Sequence, residues 1–131
     1  MKANSGVNSP RRSYKLMIVD DSNIMRRRIE RSHQMEELQL VGTAGNGVEA
    51  LELFRRTDPD VVTMDLTMPQ MDGIECISQL VTLKPSIRIL VISALADKAT
   101  AVEAMEKGAN GFLNKPFTDR QLNEAIADLL K

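Results

Sequence analysis

Three short, almost wholly apolar runs constrain the fold of this 131-residue chain most strongly. They are Leu16-Met17-Ile18-Val19, Val61-Val62-Thr63-Met64 and Ile87-Arg88-Ile89-Leu90-Val91-Ile92. Leu40-Val41-Gly42-Thr43-Ala44 and Gly111-Phe112-Leu113 are weaker versions of the same pattern. Runs this short, without alternation and bounded by polar or turn residues, suit strands covered on both faces, as in a parallel sheet.

The segments between them read as helices. Met25 and Ile29 mark the first, with Ser22 as N-cap. Val48, Leu51 and Phe54 mark the second after Asn46, and Ile74, Ile77, Leu80 and Val81 the third. Ala99, Val102, Met105 and Ala109 mark the fourth, which Gly108 should stop. Leu122, Ala125, Ile126 and Leu129 mark the fifth after Thr118. Pro59, Pro85 and Pro116 all fall between periodic segments. Five strand–helix repeats predict an α/β fold: one parallel sheet, right-handed crossovers and helices on both faces.

The length suits one domain, and a chain with 43% hydrophobic and 27% charged residues can bury a core without staples. The lone Cys76 forbids an internal disulfide and reads as a small buried hydrophobe on a helix. A net charge of −1 gives no reason to expect nucleic acid as a partner. No apolar stretch is long enough to span a membrane and the N-terminus lacks a signal-peptide run, so a cytoplasmic protein is expected. Residues 1–14, rich in Asn, Ser, Gly, Pro and Arg, read as a flexible tail, leaving 15–131 as the domain.

In folds of this class chemistry sits beyond the carboxyl ends of the strands. There the sequence places Asp20 and Asp21 after the first strand, Asp65 after the third, Ser93 after the fourth and Lys115-Pro116 after the fifth. Three crowded carboxylates raise one another's pKa or gather a cation. Oxygen donors without His or Cys favour a hard divalent ion such as Mg²⁺ over zinc. A carboxylate nucleophile, a hard cation, a lysine and a hydroxyl together suit phosphoryl transfer. Asp residues at strand ends also serve as caps and turn formers. An adjacent pair, a third Asp, a Ser and a Lys-Pro, all at the same sheet edge, are harder to attribute to caps.

With Val19-Asp20-Asp21-Ser22, Met64-Asp65-Leu66-Thr67-Met68-Pro69-Gln70-Met71-Asp72-Gly73, Ile92-Ser93-Ala94 and Asn114-Lys115-Pro116-Phe117, the chain resembles the receiver domain of two-component response regulators over about residues 15–130. The resemblance implies a flavodoxin-like (CheY-like), doubly wound five-stranded sheet of order 2-1-3-4-5. It implies that Asp65 accepts a phosphoryl group from a phosphohistidine on a sensor histidine kinase. Asp20, Asp21 and Asp65 would hold Mg²⁺ with the backbone carbonyl of Thr67, and Lys115, preceding a cis proline, would pair with the phosphate. Ser93 matches the switch hydroxyl and Phe112 the switch aromatic, whose movement alters the surface of helix four, strand five and helix five. Leu95, two residues after Ser93, is apolar and cannot orient an attacking water. A phosphorylated form that decays more slowly than that of Leu95→Glu is therefore expected, and equal decay rates would count against this.

Such a domain is not an enzyme beyond Mg²⁺-dependent self-phosphorylation and self-dephosphorylation. The chain ends just after the fifth helix, so output is expected through a protein target, in chemotaxis-type or other two-component signalling. A phosphate sink or a phosphorelay intermediate is the alternative. An aspartyl-phosphate phosphatase would carry Asp-x-Asp after the first strand, and a flavin carrier would need more than three Phe and one Tyr for stacking. Arg26-Arg27-Arg28 and Arg31 read as a solvated or kinase-docking face. His33 reads as a surface or flanking residue of the first helix. Gly45-Asn46-Gly47 reads as a turn and helix start, and Met17, Met64, Met68, Met71 and Met105 as packing residues.

Overall fold

A computed structural model describes residues 13–32, 37–68, 70–94 and 97–131. Five strands and five helices alternate: β1 (Tyr14–Val19), α1 (Asn23–Ser32), β2 (Leu38–Ala44), α2 (Gly47–Thr57), β3 (Val61–Met64), α3 (Gly73–Leu83), β4 (Arg88–Ser93), α4 (Lys98–Glu106), β5 (Gly111–Asn114) and α5 (Asp119–Leu129). The strands form one parallel sheet in the order β2-β1-β3-β4-β5. This is the flavodoxin-like order, and its winding reverses between β1 and β3.

The continuous apolar runs have a simple cause. Successive residues of a strand point to opposite faces, and here both faces are covered. Met17, Val19, Val62, Met64, Ile89 and Val91 pack under α2, α3 and α4, chiefly against Leu51, Phe54, Ile77 and Leu80. Leu16, Ile18, Val61, Leu90 and Ile92 pack under α1 and α5, against Ile29, Leu122, Ile126 and Leu129. Among the described residues no helix is long and apolar enough to cross a membrane.

The caps lie where the sequence places them. Ser22 Oγ accepts from the Met25 N–H, Asn46 caps α2, and Thr118 forms a capping box with Gln121 at α5. Gly108, with φ +118°, lies just past the end of α4. Cys76 is fully buried, and burial pushes its thiol pKa up to about 12, which makes it inert.

Three expectations are corrected. β1 begins at Tyr14, inside the stretch read as tail; residues 1–12 and His33 lie outside the described residues. On α4, Val102 and Met105 are 46% and 44% exposed while Ala104 is buried, so the apolar spacing marks the solvent side. The buried contact is made by a methyl-sized residue, which does not show as an apolar stripe. The basic face of α1 is only partly solvated. Arg26 donates to the Asp20 carbonyl and the Asn23 side chain, and Arg28 to the Phe117 carbonyl.

Candidate functional site

The crevice at a winding reversal opens beyond the carboxyl ends of the strands on either side of it, here β1 and β3. Main-chain hydrogen bonds continue the sheet one residue past its strands and so fix the backbone of each site residue. The Asp20 N–H donates to the Ala44 carbonyl at 3.0 Å, the Asp65 N–H to Val19 at 2.9 Å and the Lys115 N–H to Ser93 at 2.9 Å. The side chains that follow the strands therefore start from positions set by the sheet rather than by loops.

Asp20, Asp21 and Asp65 each offer a carboxylate oxygen, and these oxygens lie within 4.8 Å of one another. Asp20 and Asp65 are buried, at 1% and 6% exposure, and Asp21 faces solvent. Lys115 Nζ lies 2.8 Å from Asp20 Oδ2 and 3.6 Å from Asp65 Oδ1. The lysine therefore leans on the first-strand carboxylate and bridges to the third, rather than standing on the far side of Asp65 from the Asp20–Asp21 pair. Asp20 also serves as a turn former, since its Oδ1 accepts from the Ser22 N–H at 2.9 Å. The turn-forming and the cluster-forming readings of this residue both hold.

Burial, first, and then the Asp20 charge push the Asp65 pKa above the usual carboxylate value. The Lys115 ammonium and a hydrogen bond from the Thr67 N–H oppose that rise, and Asp21 adds to it. Three carboxylates with one ammonium leave the cluster short of positive charge. The donors are all oxygen, two of the three are buried, and the third opens to water. A small hard divalent cation that retains part of its hydration fits that set.

Ser93, at 1% exposure, ends β4, the strand next to β3. Phe112 is half-buried on β5 and packs against the α2–α3–α4 side of the core. Thr67 is exposed beside Asp65. Leu95 lies outside the described residues. The Lys115–Pro116 peptide is cis.

Two residues of the site went unassigned in the sequence. At Gly73 a Cβ would come within 2.4 Å of the Asp65 carbonyl oxygen and 2.6 Å of Leu66 Cα. Only glycine lets α3 start against the backbone that carries Asp65, and the Gly73 N–H donates to the Leu66 carbonyl at 2.9 Å. The Asp-Gly at the start of the third helical pattern was the available signal: Asp72 caps α3 and Gly73 makes the close approach. The other is Arg26, whose grip on the Asp20 carbonyl was hidden in a run of like residues.

Known proteins share this arrangement of strands. The chain is 38% identical to the chemotaxis protein CheY of Listeria monocytogenes over 117 residues, 89% of this chain and 98% of that protein. It is 37% identical to the CheY of Thermotoga maritima over the same length and shares. It also resembles a part, 31%, of a protein-glutamate methylesterase/protein-glutamine glutaminase of Pseudoalteromonas atlantica, at 44% identity over 88% of this chain. Among solved structures, the CheX–CheY–BeF₃–Mg complex from Borrelia burgdorferi superposes with a TM-score of 0.86 at 29% identity, covering 90% of each chain. The family model of the response regulator receiver domain matches residues 16–127, and the chain belongs to that family.

Proposed function

We propose that this receiver domain takes a phosphoryl group onto Asp65 from a phosphohistidine of a sensor histidine kinase and signals through a phosphorylation-dependent protein contact, in chemotaxis-type signalling. One observation carries this reading: the Asp20, Asp21 and Asp65 oxygens lie within 4.8 Å of one another with Lys115 Nζ at 2.8 and 3.6 Å. The near full-length similarity to chemotaxis regulators supports the pathway.

In this reading one Asp65 carboxylate oxygen attacks phosphorus. The new O–P bond forms as the donor's N–P bond breaks, and the electron pair stays on the imidazole nitrogen. Lys115 leaves Asp20 for a phosphoryl oxygen, where its charge offsets the charge that develops in the transition state. Asp20, Asp21, Asp65 and the Thr67 carbonyl would hold Mg²⁺, which supplies the positive charge the cluster lacks. The Ser93 hydroxyl donates to a phosphoryl oxygen, and Phe112 turns into the space this leaves. The surface formed by α4, β5 and α5 then changes for a downstream target, as a shift between two packings. Self-phosphorylation and self-dephosphorylation, the latter by water attack releasing inorganic phosphate, are its only chemistry.

The test is incubation with acetyl phosphate and Mg²⁺, followed by location of the phosphate by mass spectrometry. The expected result is one adduct, on Asp65, lost in Asp65→Asn and absent without a divalent ion. No adduct on the wild-type chain, or one that survives Asp65→Asn, rules the reading out.

A further inference from the structure

Helix α1 reaches both loops whose side chains meet in the site. Arg26 turns to one side and holds the carbonyl of Asp20, while Arg28, two residues on, turns to the other. Arg28 meets Phe117, two residues past Lys115, in two ways. Its Nη2 donates to the Phe117 carbonyl, and its guanidinium carbon lies 4.4 Å from the centroid of the Phe117 ring. The same Nη2 lies 3.6 Å from Asp119 Oδ1 at the start of α5.

The ring is a firm platform, since Phe117 is 4% exposed in the α1–α5 side of the core. A guanidinium that stacks on a buried ring while donating to that residue's carbonyl fixes a loop better than a surface ion pair does. Upstream, Lys115 is tied to the sheet through its N–H to Ser93. Downstream, the loop is tied to α1 through Arg28. The ammonium at the end of that tether then falls between Asp20 and Asp65.

We propose that Arg28 is a positioning residue for Lys115: by clamping Phe117 it sets where the lysine can stand relative to the phosphoryl group on Asp65. The proposal rests on Asp65 being the acceptor. It differs from a merely structural role because α1 and α5 are also joined without Arg28, where Asn123 Nδ2 donates to the Ser32 carbonyl at 2.9 Å and, within α5, to the Asp119 carbonyl at 2.8 Å.

The test measures the rate of Asp65 phosphorylation by acetyl phosphate at saturating Mg²⁺, together with Mg²⁺ affinity by calorimetry. Arg28→Met should slow the rate about tenfold, short of the roughly hundredfold that a full ångström of misplacement costs, with Mg²⁺ affinity unchanged. Arg28→Lys keeps a cation over the ring and should fall between. In a Lys115→Ala background Arg28→Met should add nothing, because the lysine it positions is gone. Asn123→Ala, which loosens α1 from α5 and leaves the Arg28–Phe117 contact in place, should lower the melting temperature and leave the rate alone. A wild-type rate in Arg28→Met overturns the proposal. So does the same tenfold loss without Lys115, or an equal slowing by Asn123→Ala. A wild-type chain that takes no phosphate on Asp65 removes the acceptor reading and this one with it, whereas a normal wild-type adduct with an unaffected Arg28→Met removes this one alone.

Discussion

At the amino ends of β1 and β3, Asp58 and Asp60 share the Lys84 ammonium and Asp60 also takes the Lys15 N–H; at the carboxyl ends, Asp20, Asp21 and Asp65 have one ion-pair partner among the described residues, Lys115. The lower end is a closed network. Lys84 Nζ donates to Asp58 Oδ1 at 3.0 Å, to Asp60 Oδ1 at 3.3 Å and to the Pro59 carbonyl at 2.9 Å. Lys15 gives its N–H to Asp60 Oδ2 and its Nζ to the Thr57 carbonyl, each at 2.9 Å. One ammonium there bridges both carboxylates, and a main-chain N–H adds to it at Asp60. The upper end has three carboxylates to one ammonium, and two of the three are buried. A carboxylate matched by cations ties the chain together; one left unmatched in a buried place costs stability and attracts whatever brings positive charge. The lower end is built to hold and the upper end to receive.

The largest expected effect is at the lower end. Lys84→Met removes one ammonium from four acceptors and leaves Asp58 and Asp60 to repel each other. Asp58 is well exposed and adds little; the part-buried bonds to the Pro59 carbonyl and Asp60 carry the loss, and about 2 kcal/mol is expected for them. Urea unfolding measures it, and the phosphorylation rate should not change. A loss under about 0.5 kcal/mol would mean that the lower network is ornamental.

Neutralising a carboxylate at the upper end should do the opposite. Two unit charges 4.8 Å apart repel by about 3.5 kcal/mol at an effective dielectric of about 20, and Lys115 and water cancel part of that. Without divalent ions Asp65→Asn should therefore stabilise the fold by about 1–2 kcal/mol while abolishing the adduct. A destabilised Asp65→Asn in chelator would show that the upper charges are already matched. Acid should separate the ends in the same sense. The hydrogen bond and charge of Lys84 hold the Asp58 pKa below its ordinary 3.8, so its contribution is present above that value and is lost as pH falls through the folded one. The Asp65 pKa lies above 3.8 through burial and then Asp20, so its folded form takes the proton more readily and the upper end gains stability as pH falls through the raised value. Side-chain carboxyl shifts followed by NMR in chelator should show Asp65 titrating above Asp58, and the reverse order would undo the comparison.

Much of this was legible in the sequence, for particular reasons. Runs such as Leu16 to Val19 announce a two-faced strand because each residue has a partner side chain on one face or the other. Asp20, Asp65 and Lys115 were legible because the sheet itself fixes the residue that follows each strand. The packing of α4 was hidden because the buried Ala104 offers little apolar area, so the larger Val102 and Met105 drew the reading to the wrong face. Arg26 and Arg28 were hidden because a run of like charges carries no sign of which member turns inward. That depends on loops 6 and 89 residues away in sequence, at Asp20 and Phe117. Lys115 resting on Asp20 was likewise a matter of distances that spacing does not encode.

Between the two ends, on β3 itself, lies a polar group that belongs to neither. The Thr63 Oγ is buried without a hydrogen-bond partner among the described residues, two residues before Asp65 and two after Val61. By strand alternation it shares the face of Val61, under α1 and α5. A hydroxyl in such a place loses its water and gains nothing in return, whereas a methyl of the same shape loses nothing. Thr63→Val keeps the branched shape and the strand preference, and should stabilise the fold by about 0.5–1 kcal/mol, the smallest of these effects. Its phosphorylation rate should match the wild type, because nothing in the site touches the hydroxyl. A destabilised Thr63→Val, or one that takes phosphate more slowly, would mean that the hydroxyl serves the upper end, and that the receiving half of the molecule begins two residues deeper in β3 than Asp65.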